Sequence, residues 1–539
     1  MPRTSRSISA RTPSTSIPST RTPPSRTPST RKPVVYAASA LAAALLVAGC
    51  TSSSGTEDSA GSSSKGGGKG VPDTSTVDWT RCEAPTANQG MGEAPGSDWE
   101  CSTLEAPLDH EKPEGEKIEI ALIRKPATEP DQRIGALLYN FGGPGGSGVS
   151  TLPMAAGDYE KLNERYDLVS FDPRAVGETA TVRCLDDEEM NRLSQENDGP
   201  PETAAEEAEY TAEGLEQIAA CEAKAGKLLP HVGTSDTARD MDLIREALGE
   251  QKLNYFGISY GTELGGVYAH LFPEKLGRTV FDAVVDPTEG QVEGSLAQAA
   301  GFQLALDNYL KDAGKDPKKG AAEITALLEK AESSPLPTNT PGRKLTRGLA
   351  ETGIAAALYS EETWPYLTQG LQEAQTSGTG SVLLVLADVY SGRDPQTGEY
   401  NNMSQAHAAI RCADSSERFD YEDVRRHLPA FEKASPVFGA SMAWGLMGCT
   451  DWPVDGERKT PEVSAPGAPP ILVIGNTGDP ATPVEGAQKM AEALGDGVGI
   501  NLTVDGEGHG TYGVNGCATD TVDAYLLEGK VPADGKVCE

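Results

Sequence analysis

Three residue types in this chain could together perform nucleophilic chemistry: a serine, a histidine and an aspartate. Ser259 lies in Gly257-Ile258-Ser259-Tyr260-Gly261, the only Gly-x-Ser-x-Gly in the sequence. The apolar run Leu253–Ile258 enters it and the helical pattern Tyr260–Phe272 leaves it. A strand that turns this sharply into a helix lifts the serine hydroxyl above a sheet, and the flanking glycines leave room for the turn. A serine hydroxyl needs a base before it can attack.

Six histidines are available: His110, His231, His270, His407, His427 and His509. Only His509 falls in the last hundred residues, in the glycine-flanked loop Asp505-Gly506-Glu507-Gly508-His509-Gly510. Chain order Ser, then acid, then His places the acid between them. Asp479 fits, at the end of Ile471–Gly475 in Asn476-Thr477-Gly478-Asp479-Pro480. It would fix the imidazole tautomer and stabilise the imidazolium. Asp451 and Asp505 are rivals, and an Asx-turn before Pro480 is the plainer role for Asp479. Phe141-Gly142-Gly143-Pro144-Gly145-Gly146-Ser147-Gly148 could supply one N–H for a developing oxyanion. We assign that role to the amides of Gly143 and Tyr260. The loop lacks the Gly-Lys-Ser/Thr ending of a phosphate-binding loop.

These groups need a parallel sheet to carry them. Ile134–Phe141, Asp167–Phe171, Leu253–Ile258, Thr279–Val285, Ile471–Gly475 and Ile500–Val504 are short, mostly apolar runs, as strands covered on both faces should be. Lys117–Lys125 alternates as a half-buried strand does. Thr237–Leu248 reads as a helix capped by Asp236 and stopped by Gly249. The alternation predicts a doubly wound α/β sheet. From about 288 to 465 the pattern is helical, which reads as a cap inserted before the penultimate strand. The expected divisions are 1–49 as a signal peptide, 50–78 as a flexible tether, 79–287 with 440–539 as the core, and 288–439 as the cap.

The N-terminus reads as an address. The first 49 residues hold seven basic and no acidic residues, with the apolar run Val34–Ala48 near their end. Val47-Ala48-Gly49-Cys50 resembles a bacterial lipobox, so Cys50 is the expected lipidation site and the mature protein is expected outside the cell, on a membrane lipid anchor. Residues 51–78 are mostly Ser, Gly and Thr, a composition that cannot bury a core. Without the first 49 residues, 39 basic face 80 acidic residues. So acidic a surface repels phosphate backbones and argues against nucleic-acid partners. Outside the cell the other eight cysteines can pair: Cys82, Cys101, Cys184, Cys221, Cys412, Cys449, Cys517 and Cys538. Joining neighbours in sequence is the simplest of the 105 arrangements. No Cys-x-x-Cys occurs, and neither metal nor cofactor is expected.

Together these residues resemble the tripeptidyl aminopeptidases of the proline iminopeptidase group. The resemblance covers about 79–290 and 440–539 and rests on Asn140–Ser147, Phe171-Asp172-Pro173-Arg174-Ala175-Val176-Gly177, Asp236–Asp240, Gly257–Thr262, Gly478–Pro483 and Gly508-His509-Gly510. Ala175 stands where the family often has Gly, and Phe141 where proline iminopeptidases usually carry His. The resemblance implies an α/β-hydrolase fold and a serine peptidase releasing short peptides, tripeptides foremost, from free N-termini; a monomer is expected. Such an enzyme must hold the substrate ammonium, for which Glu263 or a carboxylate of the cap is a candidate. The alternatives are an esterase using the same three residues and a non-catalytic lipoprotein.

Overall fold

The computed structural model describes residues 75–196 and 199–539. The expected signal peptide, Cys50 and most of the tether lie outside the described residues. Among the described residues there are twelve strands: β1 (Thr80–Arg81), β2 (Glu100–Pro107), β3 (Lys117–Lys125), β4 (Gly135–Asn140), β5 (Tyr166–Phe171), β6 (Leu253–Ile258), β7 (Leu276–Asp282), β8 (Leu336–Pro337), β9 (Lys344–Leu345), β10 (Ile471–Gly478), β11 (Gly499–Glu507) and β12 (Lys536–Cys538). Ten form one sheet in the order β1-β2-β3-β5-β4-β6-β7-β10-β11-β12. The pairs from β5 through β12 are parallel, and the β1–β2, β2–β3 and β3–β5 pairs are antiparallel. This is the α/β-hydrolase architecture expected from the sequence.

Alternating side chains explain why the central strands are apolar throughout. In β4, Ala136 and Leu138 enter one core while Leu137 and Tyr139 enter the other. In β10, Ile471 and Val473 face the first, and Leu472 and Ile474 the second. Both faces are dry, and each large side chain contributes roughly 1.5–3 kcal/mol by leaving water. Among the described residues no helix is long and apolar enough to cross a membrane.

Two local readings shift. The run Thr279–Val285 is displaced: β7 spans Leu276–Asp282 because Leu276 also pairs with Leu253, ahead of a bulge at Gly277 and Arg278 where the Arg278 N–H donates to Asn254 Oδ1. Ala283, at φ 56°, ends the strand. Asp282 therefore stands at the carboxyl edge of the sheet. The helix read as Thr237–Leu248 begins at Thr234, so Asp236 lies inside its first turn rather than capping it. Its cap comes from elsewhere in the chain, since Asp414 accepts the Thr234 N–H and hydroxyl, both at 2.6 Å.

Between β7 and β10 the chain is mostly helical. Helices from Gln291–Asp312 to Ser381–Tyr390 share a core of their own built on Phe302, Leu306, Ile354, Leu367 and Leu384. Packing does not follow the expected limits at 439 and 440. Helix Met403–Asp414, assigned to the cap, buries Ala406, Ala409 and Ile410 in the hydrolase core. Residues Gly439–Cys449 pack with the cap instead, through Ala443, Trp444 and Leu446 against Phe431. The Cys412–Cys449 disulfide joins the two exceptions. The other bridges are Cys82–Cys101, Cys184–Cys221 and Cys517–Cys538, so all four link neighbours in sequence.

Candidate active site

Ser259 occupies a backbone conformation that side chains rarely adopt, φ 59° and ψ −128°. Such strain costs on the order of 1–3 kcal/mol and persists only where the surroundings impose it. Here they do. The Ser259 N–H donates to the Asp282 carbonyl at 3.1 Å, and its own carbonyl accepts from the Thr262 N–H and hydroxyl at 2.8 and 2.7 Å. A Cβ on Gly261 would lie 2.4 Å from the Asn140 carbonyl, so the turn closes against β4 only with glycine there. The hydroxyl is thus presented at the first turn of helix Tyr260–Leu271, whose leading N–H groups have no partner within the helix.

His509 follows β11. Its Nδ1 lies 2.9 Å from both carboxylate oxygens of the buried Asp479. Asp479 does what an Asx-turn would do as well, accepting the N–H groups of Ala481 and Thr482 at 2.9 Å each. The Thr482 hydroxyl donates to its second oxygen at 2.9 Å. Burial works against a charge on His509, but the neighbouring Asp479 charge and hydrogen bond outweigh it, and Asp282 adds to them. The imidazole consequently sits above its usual pKa. Held with Nδ1–H toward Asp479, its Nε2 is free to accept a proton.

Asp282, which the sequence reading passed over, connects the two halves. Its main-chain carbonyl holds Ser259, while its carboxylate accepts the N–H groups of Thr511 and Tyr512 at 2.9 Å each, just past His509. The signal was a carboxylate at a strand's end, hidden by running the strand on to Val285. The cap adds Tyr359. Its carbonyl accepts the His509 N–H at 2.8 Å, and its ring meets the imidazole edge-on with centroids 5.2 Å apart. Ser259 and His509 are therefore tied to one sheet edge through Asp282, with no hydrogen bond from the serine hydroxyl to the imidazole in this arrangement. In unliganded enzymes this bond is often long and tightens around substrate.

The glycine loop lies against the serine. A Cβ on Gly142, at φ +89°, would fall 2.8 Å from the Ser259 Cβ, 2.6 Å from the Ile258 carbonyl and 3.1 Å from the Tyr260 nitrogen. The chain running on to Gly143 thus approaches the Tyr260 N–H within reach of a shared oxygen. Gly142→Ala must both adopt a disfavoured φ and move the loop. We expect kcat to fall by about 10²–10³, the loss typical of one displaced oxyanion donor, with melting temperature less affected. Unchanged kcat with a peptide anilide would remove the loop from the reaction.

Other sequence candidates lie elsewhere. Asp505 accepts from the Thr477 hydroxyl, and Asp451 is exposed. His407 packs its Nδ1 against the Pro144 carbonyl at 3.2 Å, buttressing the glycine loop from behind. Burial first, then the Arg411 charge, push it down to about 4, so it is neutral. Glu263, in the first turn of the nucleophile helix, faces Asp414. Burial and the Glu263 charge raise Asp414 to about 7.

The chain has relatives among known proteins. The chain is 35% identical over 498 residues to serine protease Hip1 of Mycobacterium tuberculosis, the alignment covering 86% of this chain and 91% of the relative. This chain belongs to the TAP-like family of α/β-hydrolases. The family description, TAP-like protein, matches residues 435–538, which include Asp479 and His509. The tripeptidyl aminopeptidase of Streptomyces lividans is 30% identical, with 86% of each chain covered. Carboxylesterase B of Mycobacterium tuberculosis is 33% identical, covering 81% of this chain and 86% of that protein. The alignments with these relatives extend well beyond residues 435–538, covering 81–86% of this chain.

Proposed function

We propose that this protein is a serine exopeptidase that releases short peptides, with tripeptides the main product, from free N-termini through an acyl-enzyme. One observation carries the reading. The carboxylate of Asp479 braces His509 at Nδ1, while Asp282 fixes both the Ser259 turn and the loop bearing His509. In the proposed reaction the Ser259 hydroxyl attacks the scissile carbonyl as His509 Nε2 takes its proton. The oxyanion is held by the N–H groups of Gly143 and Tyr260. His509 then protonates the leaving amine, and water repeats the sequence to free the short peptide. The relatives named as a serine protease and a tripeptidyl aminopeptidase support the peptide substrate class. We also propose that Cys50 carries lipid and holds the catalytic domain outside the cell, a reading that rests on the sequence alone.

The relative named carboxylesterase B favours a second reading, hydrolysis of small esters. One experiment separates the two. A defined peptide, with its N-terminus free or acetylated, is digested and the products are weighed by mass spectrometry, alongside turnover of a short-chain aryl ester. Tripeptides released only from the free form support the exopeptidase. Internal cuts, or ester turnover with no peptide cleavage, overturn it.

A further inference from the structure

An oxyanion hole works only if its donors are fixed before the charge forms. The two donors assigned above, the N–H groups of Gly143 and Tyr260, sit on different segments of the chain. The Gly142 carbonyl accepts the Gly146 N–H at 3.3 Å, so the Gly143 N–H, on the far side of the same trans peptide, points out of the loop. It has no hydrogen-bond partner among the described residues. The loop is held at its entry, where Asn140 Oδ1 accepts the Gly142 N–H at 3.0 Å. It is held again at its exit, where the Ser147 hydroxyl donates to the buried Asp172 at 2.6 Å. Its middle, Gly143-Pro144-Gly145, needs support from elsewhere.

Helix Met403–Asp414 supplies it. A Cβ on Gly145 would fall 2.4 Å from the Met403 carbonyl and 3.1 Å from the His407 nitrogen, so the loop rests directly on the first turns of this helix. His407 Nδ1 lies 3.2 Å from the Pro144 carbonyl, and the Gly143 carbonyl acts on the same ring. A carbonyl can only accept, so the neutral ring carries its hydrogen on Nδ1. The same helix reaches the second donor from its other end. Asp414 accepts the Thr234 N–H and hydroxyl at 2.6 Å each, and the Thr234 oxygen lies 2.6 Å from the Tyr260 phenol. Thr234 gives its one hydroxyl hydrogen to Asp414, so the phenol donates to Thr234. Thr234 and Tyr260 are both buried. The helix end is itself anchored. Cys412 is bonded to Cys449, and the carbonyls of Ala413 and Asp414 accept the Glu457 and Arg458 N–H groups at 2.9 Å each.

Resting on the serine hydrolase reading above, we propose that His407 and Asp414 are positioning residues for the oxyanion hole. One helix grips the Gly143 side of the hole through the Pro144 carbonyl, and the Tyr260 side through Thr234 and the phenol. Each residue acts through another, and together they keep two N–H groups converging on one oxygen. Misplacing a group at a reaction centre by about 1 Å costs on the order of 10² in rate. The ground-state carbonyl depends on the donors less, because they are aimed at the charge that develops in the transition state. The loss therefore belongs in kcat rather than KM.

The test uses His407→Ala, His407→Asn, Thr234→Val and Asp414→Ala, with a peptide anilide and a peptide trifluoromethyl ketone, whose adduct with Ser259 places an oxyanion in the hole. We expect His407→Ala and Thr234→Val each to lower kcat about 10–100-fold with KM little changed. Affinity for the ketone should fall by the same factor as kcat/KM. Asp414→Ala should lose as much as Thr234→Val, being the far end of one chain of hydrogen bonds. His407→Asn, which keeps an N–H donor near the Nδ1 position, should recover most of the loss. A loss carried by KM, a ketone affinity that stays put while kcat falls, or no recovery in His407→Asn would make these residues structural and overturn the assignment. So would wild-type kcat in folded His407→Ala or Thr234→Val, and Thr234→Val decides alone should His407→Ala fail to fold. Wild-type protein that cleaves an aryl ester but no peptide refutes the exopeptidase reading only, and the same variants are then measured on the ester. Wild-type protein that a fluorophosphonate does not label sinks the serine hydrolase reading itself, a distinguishable failure.

Discussion

Ser259→Ala is expected to lower kcat by about 10⁶ while leaving the fold intact, the largest effect of any single change. The attacking atom is gone, and no other hydroxyl occupies the strained turn between β6 and its helix. The rest of the site persists, because Asp282 still accepts the residue-259 N–H through its carbonyl and still holds the loop after His509. Alanine tolerates the local φ of 59° no better than serine, so stability should change little. The checks are burst kinetics with a peptide anilide, fluorophosphonate labelling and a thermal melt. Labelling retained at wild-type level in the variant would place the nucleophile elsewhere.

Asp479→Asn should be the next most damaging, with a fall of about 10⁴ in kcat. The asparagine keeps the shape but brings an amide that can donate to Nδ1, which stabilises the wrong imidazole tautomer. It also removes the charge that offsets burial of His509. Since that charge holds the imidazole above its usual pKa of 6.5, the wild-type acid limb of kcat/KM should lie above that pH. Activity is lost as pH falls through the limb, because an imidazolium cannot accept the serine proton. In the variant, burial is left largely unopposed, so the limb of the residual activity should move to lower pH. A limb that stays in place, or moves up, would mean that Asp479 does not set the histidine's protonation.

Asp479 already shows how far local patterning reaches. Its position after an apolar run marked it as a candidate, and the structure puts both of its oxygens 2.9 Å from Nδ1. The run was legible because the central strands are buried on both faces and so are apolar at every position. The shift in β7 has the opposite cause. Gly277 and Arg278 carry no strand pattern: they bulge out of the β6 register, and the Arg278 N–H is held by the Asn254 side-chain oxygen instead of a ladder partner. Helix Thr234–Ala247 was misread at its start for a similar reason, since the residue that caps it, Asp414, lies 180 positions away.

What the sequence determined by itself is local: the Gly-flanked serine turn, the glycine loop, the acid and histidine after successive strands, and the periodicities that specify an α/β sheet. These are legible because each depends on neighbours within a few residues, through allowed backbone angles and alternating burial. Only the tertiary structure decided that Asp282 joins the serine turn to the histidine loop and that Tyr359 of the cap holds the His509 amide. Those relations join segments far apart in the chain, 229 residues in the case of Asp282 and Thr511. Packing and hydrogen-bond satisfaction set them in three dimensions, and no short stretch of chain encodes them.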